Sequence, residues 1–126
     1  MSLRTPLGRI TGQGSARHGA VHWWQQRLTA IVMVPLTLWL MVAIVSIVSL
    51  GYEAVTLWLR KPINAVLLLI YLMALFHHTQ LGLQVVIEDY VSSEWQKLAC
   101  IVLVKFLCLF AGLASILAVL TVFLGL

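Results

Sequence analysis

The chain has 126 residues, of which 62% are hydrophobic and only 10% are charged, and its mean hydropathy is +1.03. Soluble globular domains carry about 25% charged residues, so this composition excludes a soluble enzyme or binding domain and indicates an integral membrane protein. The formal net charge of +4 reflects membrane topology and requires no nucleic-acid partner.

Three long apolar runs follow one another along the chain. Residues 28–50 contain no charged side chain, residues 62–87 contain two histidines but no Asp, Glu, Lys or Arg, and residues 98–126 contain only Lys105. Each run has the roughly 20 residues that a helix needs to cross the hydrocarbon core, and none has the alternation of a barrel strand. The sequence predicts an all-α membrane protein. Its helices lie near 26–50, 62–90 and 96–124, in a single membrane-anchor domain over residues 1–126.

The distribution of basic residues predicts the topology. Two basic residues, Arg60 and Lys61, lie between the first two runs. The other side of the membrane carries more of them: Arg4, Arg9, Arg17, Arg27 and Lys97. The positive-inside rule therefore places residues 1–25 in the cytoplasm and the C-terminus outside. The first run is too long for a signal peptide, and the N-terminus does not resemble a transit peptide, which favours a bacterial cytoplasmic (inner) membrane.

Two adjacent histidines, His77 and His78, lie within the second predicted helix. An ionisable side chain at this depth is costly, so it is a candidate for function. The alternative is a neutral histidine that forms a hydrogen bond with a neighbouring helix. Successive helical residues diverge by about 100°, so the two rings cannot bind one metal from the same face.

His78 shares one helical stripe with Gly82 and Asp89. Gly82, one turn away, leaves space for a flat ligand such as a haem bound through His78, or else permits a close helix crossing. The other predicted membrane helices contain no histidine, so a six-coordinate iron requires its second axial ligand from a partner subunit. The haem hypothesis therefore makes the chain part of a multi-subunit helix bundle.

Cys100 and Cys108 lie in the third predicted helix without a histidine or carboxylate nearby in the sequence. They are expected to pack as small hydrophobic residues and to bind no metal. Three spans with short loops also leave little room for a catalytic centre, and no residue is predicted to be catalytic in this chain alone.

The segment "HTQLGLQVVIEDYV" contains His78, Gly82, Asp89 and Tyr90 in the pattern H-x3-G-x6-D-Y. This pattern resembles the signature of the small hydrophobic membrane-anchor subunit of succinate dehydrogenase, respiratory complex II. The upstream segment "GSARHGAVHWWQQRLTAIVMVPLTLW" resembles the N-terminal region of that family, in which a histidine and then an arginine with Thr-Ala open the first helix. The resemblance extends over nearly the whole chain.

The resemblance implies a haem site and a quinone site. His78 would be an axial ligand of a haem b shared with a larger cytochrome b subunit, and Arg27 and His22 would lie near the haem propionates, with the quinone pocket as the other option for Arg27. Tyr90 would donate a hydrogen bond to a ubiquinone carbonyl oxygen, and Asp89 would support that site. The remaining partners would be an iron–sulfur subunit and a flavoprotein subunit. His77 matches no part of the signature and is assigned a structural role.

The residues alone permit other interpretations. Asp89 and Glu88 could be solvated charges at a helix end, Tyr90 an ordinary interfacial tyrosine, and Arg27 a topology determinant. The chain could also be a small transporter or proton-relay protein that uses His77 and His78. A third alternative is a haem-free anchor of the fumarate reductase kind.

The topology prediction can be tested with reporter fusions. An alkaline phosphatase fused after Leu126 should be active on the external side, because the positive-inside rule places the C-terminus there. A matched fusion in the loop at Ser92 should be inactive. The reverse pattern would invert the predicted sides of both loops.

Overall fold

The computed structural model describes the backbone of residues 17–126 and the side chains of residues 19–126. Arg4, Arg9 and the side chain of Arg17, which contribute to the predicted topology, lie outside the described residues. The helices are α1 (Arg17–Ile47), α2 (Tyr52–Leu59), α3 (Pro62–Tyr90) and α4 (Glu94–Leu124), and a 3₁₀ turn at Val48–Leu50 extends α1. Over the described range no strand is present.

Three helical stretches are long and apolar enough to cross a membrane. They are Gly19–Leu50, Pro62–Tyr90 and Glu94–Leu124, with mean hydropathies of 2.6, 1.6 and 2.6. The prediction of an all-α protein with three membrane spans is confirmed. The lower value for α3 reflects the polar side chains that this helix carries in its second half, including the two histidines.

The first helix begins at Arg17, well before residue 26, where hydropathy predicts its start. The physical reason is that hydropathy detects the part of a helix that lies in lipid, whereas backbone hydrogen bonding continues beyond it. At 1.5 Å per residue, the 31 residues of α1 extend for about 46 Å, compared with about 30 Å of hydrocarbon. The more polar residues at its N-terminal end, from Gly19 to Arg27, form the part that hydropathy does not predict.

The connection between the first two spans is more ordered than its composition predicts. Residues 51–61 have the composition of a loop, but they contain α2. Gly51 begins this connection with a φ of 86°, a backbone conformation that is unfavourable for a residue with a side chain. Trp58 of α2 stacks on Trp39 of α1, with 5.3 Å between ring centroids. This aromatic contact fixes α2 against the end of the first span.

The bounds of α3 and α4 follow from local sequence signals. Pro62 occupies the first position of α3, where its missing N–H is not needed, and Lys61 before it is extended. Glu94 lies in the first turn of α4, where a carboxylate interacts favourably with the helix dipole. Gly125 ends α4 in the left-handed conformation, with a φ of 74°.

The three spans form a row with α3 in the middle. Helix α3 packs against α1 on one side and α4 on the other, and α1 and α4 have almost no contact with each other. Only Ala65, Leu81 and Val119 are buried among the described hydrophobic side chains. The row therefore has two broad open faces, which must be covered by lipid or by other subunits.

Asn64 is a polar side chain buried at the start of α3, with 9% of its surface exposed. Its Nδ2 donates a hydrogen bond to the backbone oxygen of Trp58 at 2.9 Å. That carbonyl lies in the last turn of α2 and also accepts the backbone N–H of Lys61 at 3.3 Å. The bond therefore joins the end of α2 to the start of α3.

We predict that Asn64→Ala lowers the free energy of unfolding by about 1 kcal/mol, because it removes this bond and leaves the acceptor less well satisfied. Thermal unfolding of the purified protein in detergent, followed by circular dichroism, measures the change. Ser49→Ala, at an exposed position of the 3₁₀ turn, is the control. Equal midpoints for the two variants would contradict a stabilising role for Asn64.

Candidate functional site

His78 lies in α3 on the side that faces α1. Its Nδ1 is 3.0 Å from Oγ1 of Thr29, and the ring is half-buried. A groove of 380 Å³ lies beside the ring, lined on α1 by Ala30, Met33, Val34, Thr37 and Leu38. This arrangement contains one imidazole in mostly apolar surroundings, with the hydroxyls of Thr29 and Thr37 as the other polar groups. The arrangement is consistent with the alternative interpretation, in which the histidine forms a hydrogen bond with a neighbouring helix. It also provides space for a flat ligand beside the ring.

Gly82 lies one helical turn from His78 and also faces α1. A Cβ added at this position would be 3.7 Å from Nε2 of Gln26, which is an ordinary van der Waals distance. The packing of α1 on α3 therefore does not itself require glycine at position 82. The helix crossing therefore does not explain Gly82, and a ligand or partner subunit beside α3 is the alternative explanation.

A second cavity, a cleft of 510 Å³, lies nearer the N-terminal end of α1 than the groove beside His78. It lies between α1 and the last turns of α3, and its polar lining consists of His22, Gln26, Gln84 and Glu88. Gln84 donates a hydrogen bond to Glu88 at 2.8 Å. The Oε1 of Gln26 is buried and has no hydrogen-bond partner within the described part of the chain. Gln26, a lining residue of the cleft, therefore carries a buried acceptor oxygen without a partner among the described residues.

Arg27 follows Gln26 along α1 and is in contact with Trp23, but it does not itself line this cleft. Its guanidinium is 5.4 Å from the ring centroid of Trp23, which lines the cleft, and the Arg27 side chain is exposed. A cation over an indole face is attracted to the ring, so Trp23 helps to hold the guanidinium there. His22 and Arg27, both predicted to act near one site, therefore lie at the same end of α1.

Asp89 and Tyr90 end α3, and both side chains are exposed; Tyr90 exposes 85% of its surface. At about 100° per residue, Asp89 projects within roughly 20° of His78, whereas Tyr90 projects roughly 120° away. Helical geometry therefore directs Asp89 towards the face that carries His78 and Tyr90 towards a different face. No hydrogen bond from Tyr90 to another described residue is present, so any pocket around its ring must be completed by another molecule.

His77 lies on a separate surface from His78. It lines a groove of 210 Å³ between α3 and α4, together with Gln80 and Cys108. Both cysteines are free, and no group of three potential metal ligands occurs among the described residues. The two histidine rings therefore lie in different grooves, His77 towards α4 and His78 towards α1.

Two residues of this site, Thr29 and Gln26, are assigned no role by the sequence analysis, although Thr29 belongs to the Thr-Ala pair of the segment that resembles the family. Both lie in α1, far along the chain from His78 and Gly82, which they contact. A threonine followed by apolar residues is common in spanning helices, and only the rotation of α1 against α3 gives it a partner. Their positions in the Trp-Trp-Gln-Gln-Arg-Leu-Thr-Ala segment indicate only that the start of α1 is more polar than its remainder.

Comparison with known proteins gives relatives that match most of the chain. A succinate dehydrogenase hydrophobic membrane anchor subunit from Rickettsia bellii is 35% identical over 117 residues, which cover 93% of this chain and 94% of that protein. The corresponding subunit of Rickettsia conorii is 35% identical over 117 residues, with coverage of 92% and 93%. That of Paracoccus denitrificans is 26% identical over 106 residues, with coverage of 84% and 82%.

The family model described as succinate dehydrogenase/fumarate reductase transmembrane subunit matches residues 1–112. No solved structure matches the chain at a significant level. The family match covers all of α1, α2 and α3 and the first part of α4. The chain therefore belongs to the family of succinate dehydrogenase/fumarate reductase transmembrane subunits and, within it, to the membrane anchor subunits of succinate dehydrogenase.

Proposed function

We propose that the chain binds a haem b together with a larger cytochrome b subunit, and that His78 is one axial ligand. The observation that carries this proposal is the half-buried His78 ring beside an apolar groove of 380 Å³, in the middle span of a three-helix row. Imidazole is a usual axial donor to haem iron, and an apolar groove suits the macrocycle. Gly82, where α1 packing does not demand glycine, supports a ligand in contact with this part of α3.

The second axial ligand would come from the partner subunit. Among the described side chains the other histidines are His22 and His77, and neither lies beside the His78 ring. His22 is two helical turns from Thr29 along α1, or about 10 Å, and His77 faces the groove towards α4. An iron held by two imidazoles, one of them from His78, would therefore take the second imidazole from outside these residues.

The cleft at the start of α1 suits the propionates of the same haem. When bound, the haem supplies a one-electron redox centre within the membrane. Arg27 carries a guanidinium that can form paired hydrogen bonds with a carboxylate, and His22 and Gln26 supply polar groups in the cleft. We assign Arg27 and His22 to the propionates, with a quinone contact as the other option for Arg27.

Tyr90 and Asp89 would contribute to a site for ubiquinone reduction. The Tyr90 hydroxyl is exposed at the end of α3 and can donate a hydrogen bond to a quinone carbonyl oxygen. A donor at that position stabilises the negative charge that develops on the oxygen during reduction. Asp89 lies on the neighbouring face and would support the site. The exposed Tyr90 ring fits a pocket that other subunits complete.

The assembled complex would contain four kinds of subunit: this anchor, the larger cytochrome b subunit, an iron–sulfur subunit and a flavoprotein subunit. Electrons from succinate would pass through the last two to ubiquinone, as part of the tricarboxylic acid cycle and the respiratory chain. We place the complex in a bacterial cytoplasmic membrane with residues 1–25 and the α3–α4 loop on the cytoplasmic side. Family membership removes the alternative of an independent transporter built on His77 and His78.

The axial-ligand proposal is tested by comparing His78→Ala with His77→Ala. We expect His78→Ala to remove most of the haem b from the purified complex, because the ligand is lost, and His77→Ala to retain it. The reduced-minus-oxidised absorbance spectrum, normalised to the flavin content, measures the haem. Equal haem content in the two variants would contradict the assignment, and a haem-free parental complex would support an anchor of the fumarate reductase kind.

The quinone proposal is tested by Tyr90→Phe, which retains the ring but removes the donor. We expect the complex to assemble with its normal haem content and to reduce a soluble dye with succinate at nearly the parental rate. Ubiquinone reduction should fall by roughly 10- to 1,000-fold, the upper end being the effect of removing one oxyanion donor.

Tyr52→Phe is the matched control, since Tyr52 is similarly exposed, at 81%, but lies at the opposite end of the row. It should leave both activities unchanged. Parental ubiquinone reduction by Tyr90→Phe would show that the tyrosine is an interfacial residue and that the quinone contact lies elsewhere.

A further inference from the structure

The hydroxyl of Thr29 lies within hydrogen-bond distance of two carbonyl oxygens and one imidazole nitrogen. Its Oγ1 is 2.8 Å from the backbone oxygen of Gln25, 3.1 Å from that of Gln26 and 3.0 Å from Nδ1 of His78. A threonine hydroxyl has one hydrogen to donate and two lone pairs with which to accept. The three contacts can therefore be satisfied together in only one way.

The two carbonyl oxygens determine where that hydrogen lies. A carbonyl oxygen can only accept, so each of these short contacts is favourable only if Thr29 directs its hydrogen towards the backbone. If the hydrogen pointed to His78 instead, the hydroxyl oxygen would face two carbonyl oxygens with lone pairs on both sides. The hydroxyl thus donates to the carbonyl of Gln25, shares that hydrogen with the carbonyl of Gln26, and accepts from His78.

This hydrogen-bond pattern specifies the tautomer of the imidazole. Because Oγ1 of Thr29 accepts, Nδ1 of His78 carries the hydrogen, and in the neutral ring Nε2 is then the nitrogen with a free lone pair. Over residues 19–126, Thr29 is the only residue that forms a hydrogen bond with the His78 ring. The rest of the groove is lined mainly by apolar side chains of α1.

We propose that Thr29 is a positioning residue that holds the His78 ring with Nδ1 protonated and Nε2 available to the haem iron. The inference rests on the proposed axial role of His78. A histidine that binds a metal usually donates its other ring hydrogen to a nearby acceptor, which fixes the ring and raises its basicity as a ligand. Here that acceptor is a hydroxyl whose own rotamer is held by the backbone of α1.

The rigidity of this acceptor comes from the helix. Threonine is branched at Cβ, which restricts its first side-chain torsion, and the bond to the carbonyl four residues earlier selects one rotamer. Thr29 is half-buried between α1 and α3, so water competes little for its oxygen. The orientation of the His78 ring therefore depends on the packing of these two helices.

The test uses Thr29→Val and Thr29→Ser in the complete complex. Valine keeps the branched shape but removes the acceptor, so we expect the haem affinity to fall 10- to 100-fold, which is the usual effect of losing such a partner. Transfer of haem from the purified complex to apomyoglobin measures this change. The midpoint potential should become more positive, because a less basic imidazole stabilises ferric iron less. Thr29→Ser retains the hydroxyl and should restore both values towards those of the parent.

Thr121→Val is the matched control. Thr121 forms the same kind of bond with the carbonyl four residues earlier, Leu117, at 2.8 Å, but it is exposed on α4, away from His78. It should leave haem transfer and midpoint potential at the parental values. Parental behaviour of Thr29→Val, or a serine variant that behaves like the valine variant, would overturn the inference.

His78→Ala, measured in parallel, separates this inference from the proposed function. If His78→Ala loses its haem while Thr29→Val keeps parental affinity and potential, only the role of Thr29 is overturned. If His78→Ala keeps its haem, the axial assignment fails and the role of Thr29 fails with it.

Discussion

Polar groups inside a bilayer have no water to satisfy them, and this is the central constraint on the protein. The hydrogen bond between Thr29 and His78 shows how the constraint is met. The backbone meets this constraint through three long helices. Side chains meet it by bonding to their own helix, as Thr29 does, or to a neighbouring helix, as His78 does. The contact of α1 with α3 therefore serves both packing and the histidine, and the geometry of the candidate haem site follows from it.

The arrangement of the spans explains why the chain requires other subunits. In lipid, burying apolar side chains between helices gives little driving force, because lipid tails are as apolar as the side chains themselves. A row of three helices with almost no interior is acceptable under those conditions, and it leaves two broad faces free for partners. One of these faces carries the groove beside His78. A ligand held there would be covered by a second protein, so the proposed haem would be shared between two subunits.

Hydropathy predicts the number of spans and the bounds of α3 well, because lipid imposes a length and a composition that the sequence displays directly. It does not predict α2, since eight residues at an interface produce no long apolar run. Helical geometry separates His77 from His78, and the structure places them in different grooves. Thr29 and Gln26 could not be predicted as neighbours of His78 and Gly82. Their contacts depend on the rotation of one helix against another, to which composition and periodicity are insensitive.

The spacing along α3 divides the proposed chemistry by depth. Twelve residues at about 1.5 Å each place Tyr90 roughly 18 Å from His78 along the helix axis, so one small ligand cannot contact both. The imidazole lies mostly among apolar side chains, where water is scarce and the hydrogen bond that it donates to Thr29 of α1 can govern its tautomer. The phenol lies at the exposed helix end, near the aqueous protons that quinone reduction consumes. Under this proposal one continuous helix would fix the distance between the haem site and the quinone site, and a shorter or kinked α3 would change both environments at once.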